Sequence, residues 1–559
     1  MPTLISRPWF ADRPVMDRTR QIARVLAGHG LGALLHQTGF ERFAPRGWRG
    51  RGGSSHSQPE RLRVALGELG ATFTKLGQML STRGDMLPAE YLAELSRLQD
   101  RAPKVPFEQI QATVERELGA SIHRVYGSFD PQPLASASIG QVHAATLPDG
   151  TRVVVKVQRP GVADQIERDL QILARLVDWI ERGTEYGADY DVWSLHSEFA
   201  HTIHGELDYV REGRNVDRMR RAFAGDPGIR IPIVYWPHTR PRVLTMERME
   251  GIKITDLAAL DAAGISRREI AETAVRTFLR QILDFGFFHA DPHPGNFFVE
   301  PDGTIALVDF GMVGRVSEST RDHLLRCGLA AMELDAEEVA EQLYALGVAG
   351  RRADRRSFEK DVDHLISHYG GFSVAELNAS AIVSELSGIA FRHRLQLPSE
   401  LALLLRVISM SEGMGLMLDP GFHYLEYASP ILRRSWQEQT SLRSRLGQVG
   451  RSAAEAAELS LGFPRRMQRM LSRLERGEFE LNVRHERLED VTREFQRMTN
   501  RLSMSFVLAA SVVAMSVAMG AQSGSGTRDF LRWLFLLGFV FTLGFGLWLL
   551  LSMWRAGRK

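Results

Sequence analysis

The spacing of apolar residues changes several times along this chain, and each change marks an element. In RLRVALGELGATFTKLGQML, Leu62, Leu66, Leu69, Phe73, Leu76 and Leu80 recur at alternating intervals of four and three, which predicts one amphipathic helix. After a break at Gly84–Pro88, PAEYLAELSRLQD is helical again. From about residue 130 the period becomes two. SASIGQVHAATLPDGTRVVVKVQRPG reads as two β-runs joined by a turn at Pro148-Asp149-Gly150. SLHSEFAHTIHGELDYVREGRNVDRMRRAF then reads as one long helical region, PRVLTMERMEG as a strand, and the chain is helical up to Phe285. VEPDGTIALVDFG is a second hairpin, turning at Asp302-Gly303, and residues 318 to about 430 are mostly helical. Residues 431–503 are helical, Arg-rich and amphipathic, which suits lipid headgroups and a solvated helix pair equally. Residues 1 to about 58 end in RGWRGRGGSSHSQPE, a Gly/Arg/Ser-rich linker without a packing pattern.

The last segment is different. Ser505–Ala521 carries no charge over about 17 residues, near the lower limit for a spanning helix. FLRWLFLLGFVFTLGFGLWLLLSMW, from Phe530 to Trp554, has Arg532 as its single charge. Together they predict a two-helix transmembrane hairpin. Arg493, Arg497 and Arg501 precede it and Arg555, Arg558 and Lys559 follow it, which favours cytoplasmic ends. Elsewhere the bulk numbers mainly exclude. The 69 Lys plus Arg against 67 Asp plus Glu leave +2 over 559 residues, so no nucleic-acid surface is predicted. Cys327 is the only cysteine, which rules out an internal disulfide and a cysteine-based metal cage. The first residues hold no apolar run suited to a secretory signal, so most of the chain is expected to fold in a reducing cytoplasm.

The stretch FGFFHADPHPGNFFVE concentrates His289, Asp291, His293 and Asn296. Two chemistries compete for it: a metal site built on the alternating H-x-D-x-H, and the D-x-x-x-x-N of a phosphoryl-transfer loop. The second accounts for more of the chain. Asp309, in LVDFG, follows Asn296 by thirteen residues with a hairpin between them, so both can return to one end of a small sheet and share a metal–nucleotide. Lys156 interrupts the apolar run VVVKV and needs either an exit to water or an anionic partner. Asp208, Glu212 and Asn215 recur at i, i+4 and i+7 on one helical face, while Glu206 projects to the other side of that helix. A carboxylate from this region is therefore available to Lys156. These pieces occur in kinase order, with His289 in the place of the H of H-R-D. The glycine-rich loop of kinases is missing. PLASASIGQVH stands there, with Ala135, Ser136, Ala137, Ser138, Ile139 and one glycine, Gly140, and the added Cβ atoms change how closely backbone can approach phosphate.

On these motifs the chain resembles the UbiB/AarF-type atypical kinase-like family, associated with ubiquinone and related isoprenoid lipids. KLGQ at Lys75–Gln78 is similar to its K-x-G-Q helix motif, LASASIGQVHAA to its Ala-rich loop, ELDYVRE to its E-x-D followed by the αC glutamate, and HADPHPGNFF with LVDFG to its catalytic and metal segments. The resemblance spans roughly residues 60–420 and extends to the hairpin. It implies an α+β, bilobal protein-kinase-like fold with an N-terminal helical extension and a C-terminal two-helix transmembrane hairpin. The boundaries expected are 1–58 for the N-terminal region and linker, 59–130 for the KxGQ extension and 131–250 for the N-lobe. The helical C-lobe follows at 251–430, juxtamembrane helices at 431–503 and the hairpin at 504–554.

The resemblance further implies ATP or ADP and Mg²⁺ as cofactors, with Asn296 and Asp309 on the metal, Ala135–Gly140 and Lys156 on the nucleotide, Glu212 holding Lys156, and Asp291 at the nucleophile. Lys75 and Gln78 would point into the site, with Glu206 as partner of Lys75, from a helix filling the space of a peptide substrate. Membrane lipids or isoprenoid quinone precursors, quinone-biosynthesis proteins and a second copy of the chain are the implied partners, and the bacterial inner membrane, with the catalytic domain in the cytoplasm, the implied location. The rival readings are a nucleotide-binding pseudokinase scaffold, a small-molecule phosphotransferase of the aminoglycoside type and a His/Asp metal hydrolase. KxGQ and the hairpin weigh against the aminoglycoside type, and the full set of catalytic side chains against the scaffold.

Overall fold

The computed structural model describes residues 13–31, 57–98, 102–183, 190–349, 355–373 and 376–440. The chain forms two compact units, residues 1–447 and 448–559. The second, with the expected hairpin of 504–554, lies outside the described residues, as do the helices expected beyond 440.

Ahead of the sheets come helices Arg13–Gly28, Gln58–Leu69, Ala71–Leu80 and Ala89–Leu95. The single helix expected across Leu62–Leu80 is thus two. Gly70 takes φ 93°, a left-handed conformation that costs glycine little and that a helix interior cannot contain. The stripe survives the break. Leu66, Leu69 and Phe73 are buried together with Ile166, Leu170 and Leu173 of helix Val162–Gly183 and with Val15, Ile22 and Val25 of Arg13–Gly28. That first helix falls in the region read as leading into a linker. Its apolar face was on display at 15, 22 and 25, but interspersed with Arg13, Arg18, Arg20 and Arg24.

The strands are β1 Ser128–Ser136, β2 Gly140–Thr146, β3 Arg152–Gln158, β4 Ile229–Arg230, β5 Val243–Glu247, β6 Ile252–Lys253, β7 Phe287–His289, β8 Phe297–Val299, β9 Ile305–Leu307 and β10 Val313–Arg315. An antiparallel sheet runs β1-β2-β3-β5. Strand alternation decides its two faces. Val153, Val155 and Val157 are sealed against Ile110, Val114 and Tyr126, which turns Lys156, opposite Val142 and Leu244, to the other face. A second sheet runs β4-β9-β8-β6, and β7 pairs with β10. The β8–β9 hairpin sets Phe297 against Leu307, so Asn296 and Val308 meet just beyond its end, where the Val308 N–H donates to the Asn296 carbonyl at 3.0 Å.

The long helical region also divides. Val192–Glu206 ends at Glu206, and Tyr209–Ala222 begins after Asp208, whose carboxylate accepts the Val210 N–H at 3.0 Å. Glu206 and Glu212 therefore sit on different helices rather than on two sides of one. Aspartate is a strong N-cap, and at Asp208 that preference outweighs the continuous helical pattern around it. The remaining described chain is largely helical: Arg267–Leu283, Glu318–Glu333, Ala336–Leu346, Arg355–Tyr369, Ala379–Arg392, Ser399–Leu418 and Tyr424–Thr440. Ser399–Leu418 is the one described helix long and apolar enough to cross a membrane, yet it packs on Arg267–Leu283 with half of its apolar window buried.

His143 of β2 is a buried polar residue within the first sheet's core. Its ring centroid lies 5.3 Å from that of Phe129, and Nδ1–H donates to the Asp130 carbonyl at 2.9 Å. Burial lowers its pKa from the ordinary 6.5, with the Asp130 carbonyl opposing. The unfolded chain therefore takes up the proton first. Stability contributed by neutral His143 is complete above that ordinary value and drains away as pH falls through it towards the lower folded-state value. Denaturant titrations from about pH 7 to about pH 5 should show stability falling in the wild type and falling less in His143→Gln. Identical slopes would mean that this imidazole does not titrate differently on folding.

Candidate active site

A cleft of about 980 Å³ opens between the lysine-bearing face of the first sheet, the helix Ala71–Leu80 and the helical region. Lys75, Gln78, Ala135, Ala137, Ile139, Gly140, Lys156, Glu206, Glu212, Asp291, Asn296 and Asp309 all line it; Ser136 and Ser138 do not. Residues separated by more than two hundred positions thus share one wall.

At its centre Lys156 Nζ donates to both oxygens of Glu212, at 2.8 and 2.9 Å, and to Asp309 Oδ1 at 3.4 Å. The ammonium lies 5.3 Å from the Tyr209 ring centroid. Glu212 leaves only 3% of its side chain exposed, whereas that of Asp309 is 49% exposed to the cleft. Burial alone would lower the Lys156 pKa, but Asp309 and Glu212 outweigh it and hold the ammonium well above its ordinary value. Burial dominates at Glu212 and raises its carboxyl despite Lys156. At Asp309 burial is overcome by Lys156, the Gly311 N–H and Lys75, which hold the carboxyl well below the usual range. One cation is shared by two carboxylates, of which Asp309 is the more exposed.

Asp309 is held by its backbone as much as by its side chain. Its φ is 68°, a left-handed conformation that aspartate tolerates better than most residues. Gly311 N–H donates to Oδ1 at 3.1 Å, and buried His289 donates Nε2–H to the Asp309 carbonyl at 2.5 Å. The Asp291 N–H donates to His289 Nδ1 at 3.2 Å. These two bonds require the neutral ring protonated on Nε2, and burial lowers the His289 pKa in the same sense. From the neighbouring helix Asn215 Nδ2 donates to the Phe310 carbonyl at 3.2 Å. His289 thus ties together the two segments that carry Asp291 and Asp309. His293 accepts the Gly295 N–H on Nδ1 at 3.0 Å and stabilises its own loop.

The helix Ala71–Leu80 closes one side. Lys75 Nζ meets Glu206 Oε2 at 2.8 Å, and Gln78 Nε2 donates to the Leu98 carbonyl at 3.2 Å. Gly77, between them, explains its own identity: a Cβ there would lie 2.2 Å from Leu98 Cδ1 and 3.1 Å from Leu66 Cδ1.

Three residues escaped the sequence reading. Arg406, on Ser399–Leu418, donates from Nη2 to Asp291 Oδ1 at 2.8 Å. It is the only charge in LALLLRVISM, and the argument that demands a partner for Lys156 within VVVKV demands one for Arg406 too. Arg159 holds the Ala-rich loop: Nε donates to the Ala137 carbonyl at 2.7 Å, and Nη2 to Ser136 Oγ at 2.7 Å and the Pro103 carbonyl at 2.6 Å. Ser136 is drawn away from the cleft by that contact. Tyr209 is wholly buried beneath Lys156, and its hydroxyl has no hydrogen-bond partner among the described residues; its signal was an aromatic residue inside the acidic run ELDYVRE.

The donor set suits a hard divalent cation. Lys75 offsets Glu206 and Arg406 offsets Asp291, but Lys156 serves both Glu212 and Asp309, leaving one carboxylate uncompensated. The Asn296 amide nitrogen donates to the Asp291 carbonyl at 3.4 Å, so its oxygen is the atom available to a metal. One carboxylate and one amide oxygen fit an ion that completes its shell with water and phosphate, as Mg²⁺ does.

The chain belongs to the UbiB/ABC1 atypical kinase family. The ABC1 atypical kinase-like domain matches residues 97–343, the UbiB helical domain 362–423 and the ABC1/UbiB kinase-like C-terminal domain 486–555. A probable protein kinase UbiB of Xanthomonas campestris is 34% identical over 521 residues, covering 90% of this chain and 93% of that one. The chloroplastic protein ACTIVITY OF BC1 COMPLEX KINASE 7 of Arabidopsis thaliana is 36% identical over 471 residues, covering 82% and 67%. Among solved structures, Rv3197 of Mycobacterium tuberculosis in complex with erythromycin is 25% identical, with a TM-score of 0.45 over 63% of this chain and 90% of that one.

The fit around Gly77 is directly testable. Gly77→Ala must displace Leu98 or the helix, and overpacking of this kind costs about 1–3 kcal/mol. Thermal unfolding should show the loss, and Leu98→Ala in the same chain should recover part of it by making room. A Gly77→Ala protein as stable as wild type would mean that the contact yields without cost.

Proposed function

We propose that the chain is a membrane-anchored atypical kinase or ATPase of the UbiB type, which binds Mg–ATP or Mg–ADP in this cleft and supports the synthesis of ubiquinone or a related isoprenoid lipid. The observation that carries the reading is the meeting of Lys156, Glu212 and Asp309 at one cleft that Asn296 and Asp291 also line.

Each residue then has a task. The cleft lies between a β-rich lobe, which supplies Lys156 and the Ala-rich loop 135–140, and a helical lobe, which supplies Asp291, Asn296 and Asp309. Lys156 swings from Asp309 to the α/β-phosphates while Glu212 keeps hold of it. Asn296 and Asp309 would hold Mg²⁺, which supplies charge neutralisation on the phosphate oxygens when bound. Arg406 fixes Asp291 through Oδ1 and leaves Oδ2 to orient the attacking hydroxyl or water. Lys75 and Gln78 narrow the entrance from Ala71–Leu80, in the space a peptide substrate needs, which favours water or a small membrane-borne molecule as acceptor. The apolar segment 504–554 keeps the site beside the lipid pool, and the name UbiB carried by relatives over most of the chain supports the link to quinone lipids.

Purified full-length protein in lipid or mild detergent is expected to hydrolyse ATP with Mg²⁺, and Asp309→Asn to lower that rate by at least about a hundredfold. Loss of the gene should lower the cellular quinone pool. Equal, negligible turnover by both proteins with nucleotide binding intact would identify a scaffold instead, and an unchanged quinone pool would remove the lipid assignment.

A further inference from the structure

The helix Arg13–Gly28 precedes every segment matched by the family models, yet it touches the base of the helix that carries Lys75. Arg18 donates from Nε to Asp169 Oδ1 at 2.7 Å and from Nη2 to Asp169 Oδ2 at 2.9 Å. The same Nη2 donates to the Leu69 carbonyl at 2.7 Å. Thr72 Oγ1 donates to Asp169 Oδ2 at 2.6 Å, and the guanidinium lies 5.7 Å from the Phe73 ring centroid. Asp169 and Thr72 are 0% exposed and Arg18 8%. A charge pair buried this deeply is stable only while both members and their further hydrogen bonds are satisfied.

Its location is telling. Leu69 ends one helix, Thr72 stands at the start of the next, and Gly70 bends the chain between them. The guanidinium therefore sits on the negative, C-terminal end of Gln58–Leu69, and the carboxylate at the positive, N-terminal end of Ala71–Leu80. Each charge has the sign that its helix end favours. Left-handed glycine alone leaves a soft joint. The ion pair stiffens that joint, and its third anchor, Asp169, belongs to the helix that directly follows the Lys156 strand. Lys75 stands one turn beyond Thr72 and Gln78 about one turn further.

We infer that Arg18 is a positioning residue for the cleft: bound to the Leu69 carbonyl and to Asp169, whose carboxylate also holds Thr72, it fixes the direction of Ala71–Leu80 about Gly70 and thereby aims Lys75 and Gln78 at the site. The N-terminal helix is then a working brace of the cleft. Its kinetic consequence rests on the nucleotide-turnover reading above; its structural consequence does not.

Both are measurable on the full-length chain in phosphatidylethanolamine/phosphatidylglycerol nanodiscs. Hydrogen exchange over residues 71–80 is expected to speed up by about a hundredfold in Arg18→Ala, relative to residues 140–158 of β2 and β3. Thr72→Val keeps the shape and the ion pair but removes one bond, and should speed it by about tenfold. Arg18→Lys should fall between Arg18→Ala and wild type. In ATP hydrolysis, Arg18→Ala is expected to lower kcat by about tenfold with KM for Mg–ATP within about twofold, because Lys156 and Asp309 are untouched. Unchanged exchange over 71–80 overturns the inference. So does an equal rise over 71–80 and 140–158, which is the signature of a general staple, and Thr72→Val makes that comparison even where Arg18→Ala does not fold. A wild type without ATP turnover defeats the proposed function instead, and the exchange pattern then decides the brace by itself.

Discussion

The site depends on where one lysine is buried. Lys156 faces away from the valine core of its sheet and can remain charged there only with a carboxylate beside it. Glu212 is that carboxylate, delivered by a helix whose start is fixed by the Asp208 cap. Asp309 adds a second negative group to the same cation, so the cluster carries a surplus of negative charge. Two carboxylates competing for one ammonium cannot both be satisfied. Burial raises the Glu212 carboxyl, while Lys156, the Gly311 N–H and Lys75 lower that of Asp309. Under the proposed function a divalent cation with phosphate would complement such a surplus, since the cation would relieve Asp309 and the phosphate would take up Lys156.

Asp309 occupies its place because of a conformation that is costly for a residue with a side chain. The cost is offset locally: His289 binds its carbonyl, Gly311 its side chain, and Asn215 the next carbonyl. His289 performs this service only as the neutral Nε2–H tautomer, and full burial keeps it so. The first histidine of HADPHPGN thus acts by geometry, since both ring nitrogens are committed to backbone. That disposes of the metal-ligand alternative for it on physical grounds: a ring nitrogen cannot bind a cation while it holds the Asp309 carbonyl or accepts the Asp291 N–H. His293 accepts the Gly295 N–H on Nδ1 and so steadies its own turn.

Much of this was legible in the chain because local rules governed it. The turns at Asp149-Gly150 and Asp302-Gly303, the apolar alternation around Lys156 and the return of Asn296 and Asp309 to one hairpin end follow from period and turn chemistry alone. What was not legible depended on competition between rules. At Gly70 and Asp208 a helical pattern runs on through residues that break it, and periodicity is blind to a single glycine φ or an N-cap. Helix Arg13–Gly28 hid its apolar face among arginines, because one of them, Arg18, is itself buried. Ser136 looked like a loop hydroxyl for phosphate, yet Arg159, which lies beyond the following β2–β3 hairpin in sequence, turns it elsewhere. Pairings of this kind between distant residues have no local signature.

Ser399–Leu418 shows how a hydropathy reading and a packing reading can part. Its composition would serve in a bilayer, but in this fold one side is core against Arg267–Leu283 and the other faces the cleft. Arg406 decides between the two. A guanidinium midway along a helix is costly in hydrocarbon, whereas here it reaches Asp291 at 2.8 Å with its Nε beside Met410. The pair lines the cleft and stays partly in water, with 20% of the Arg406 and 35% of the Asp291 side chain exposed. The lone charge of this apolar helix is thus placed where a carboxylate receives it, and that is what lets Ser399–Leu418 serve as core on one side and as a wall of the site on the other.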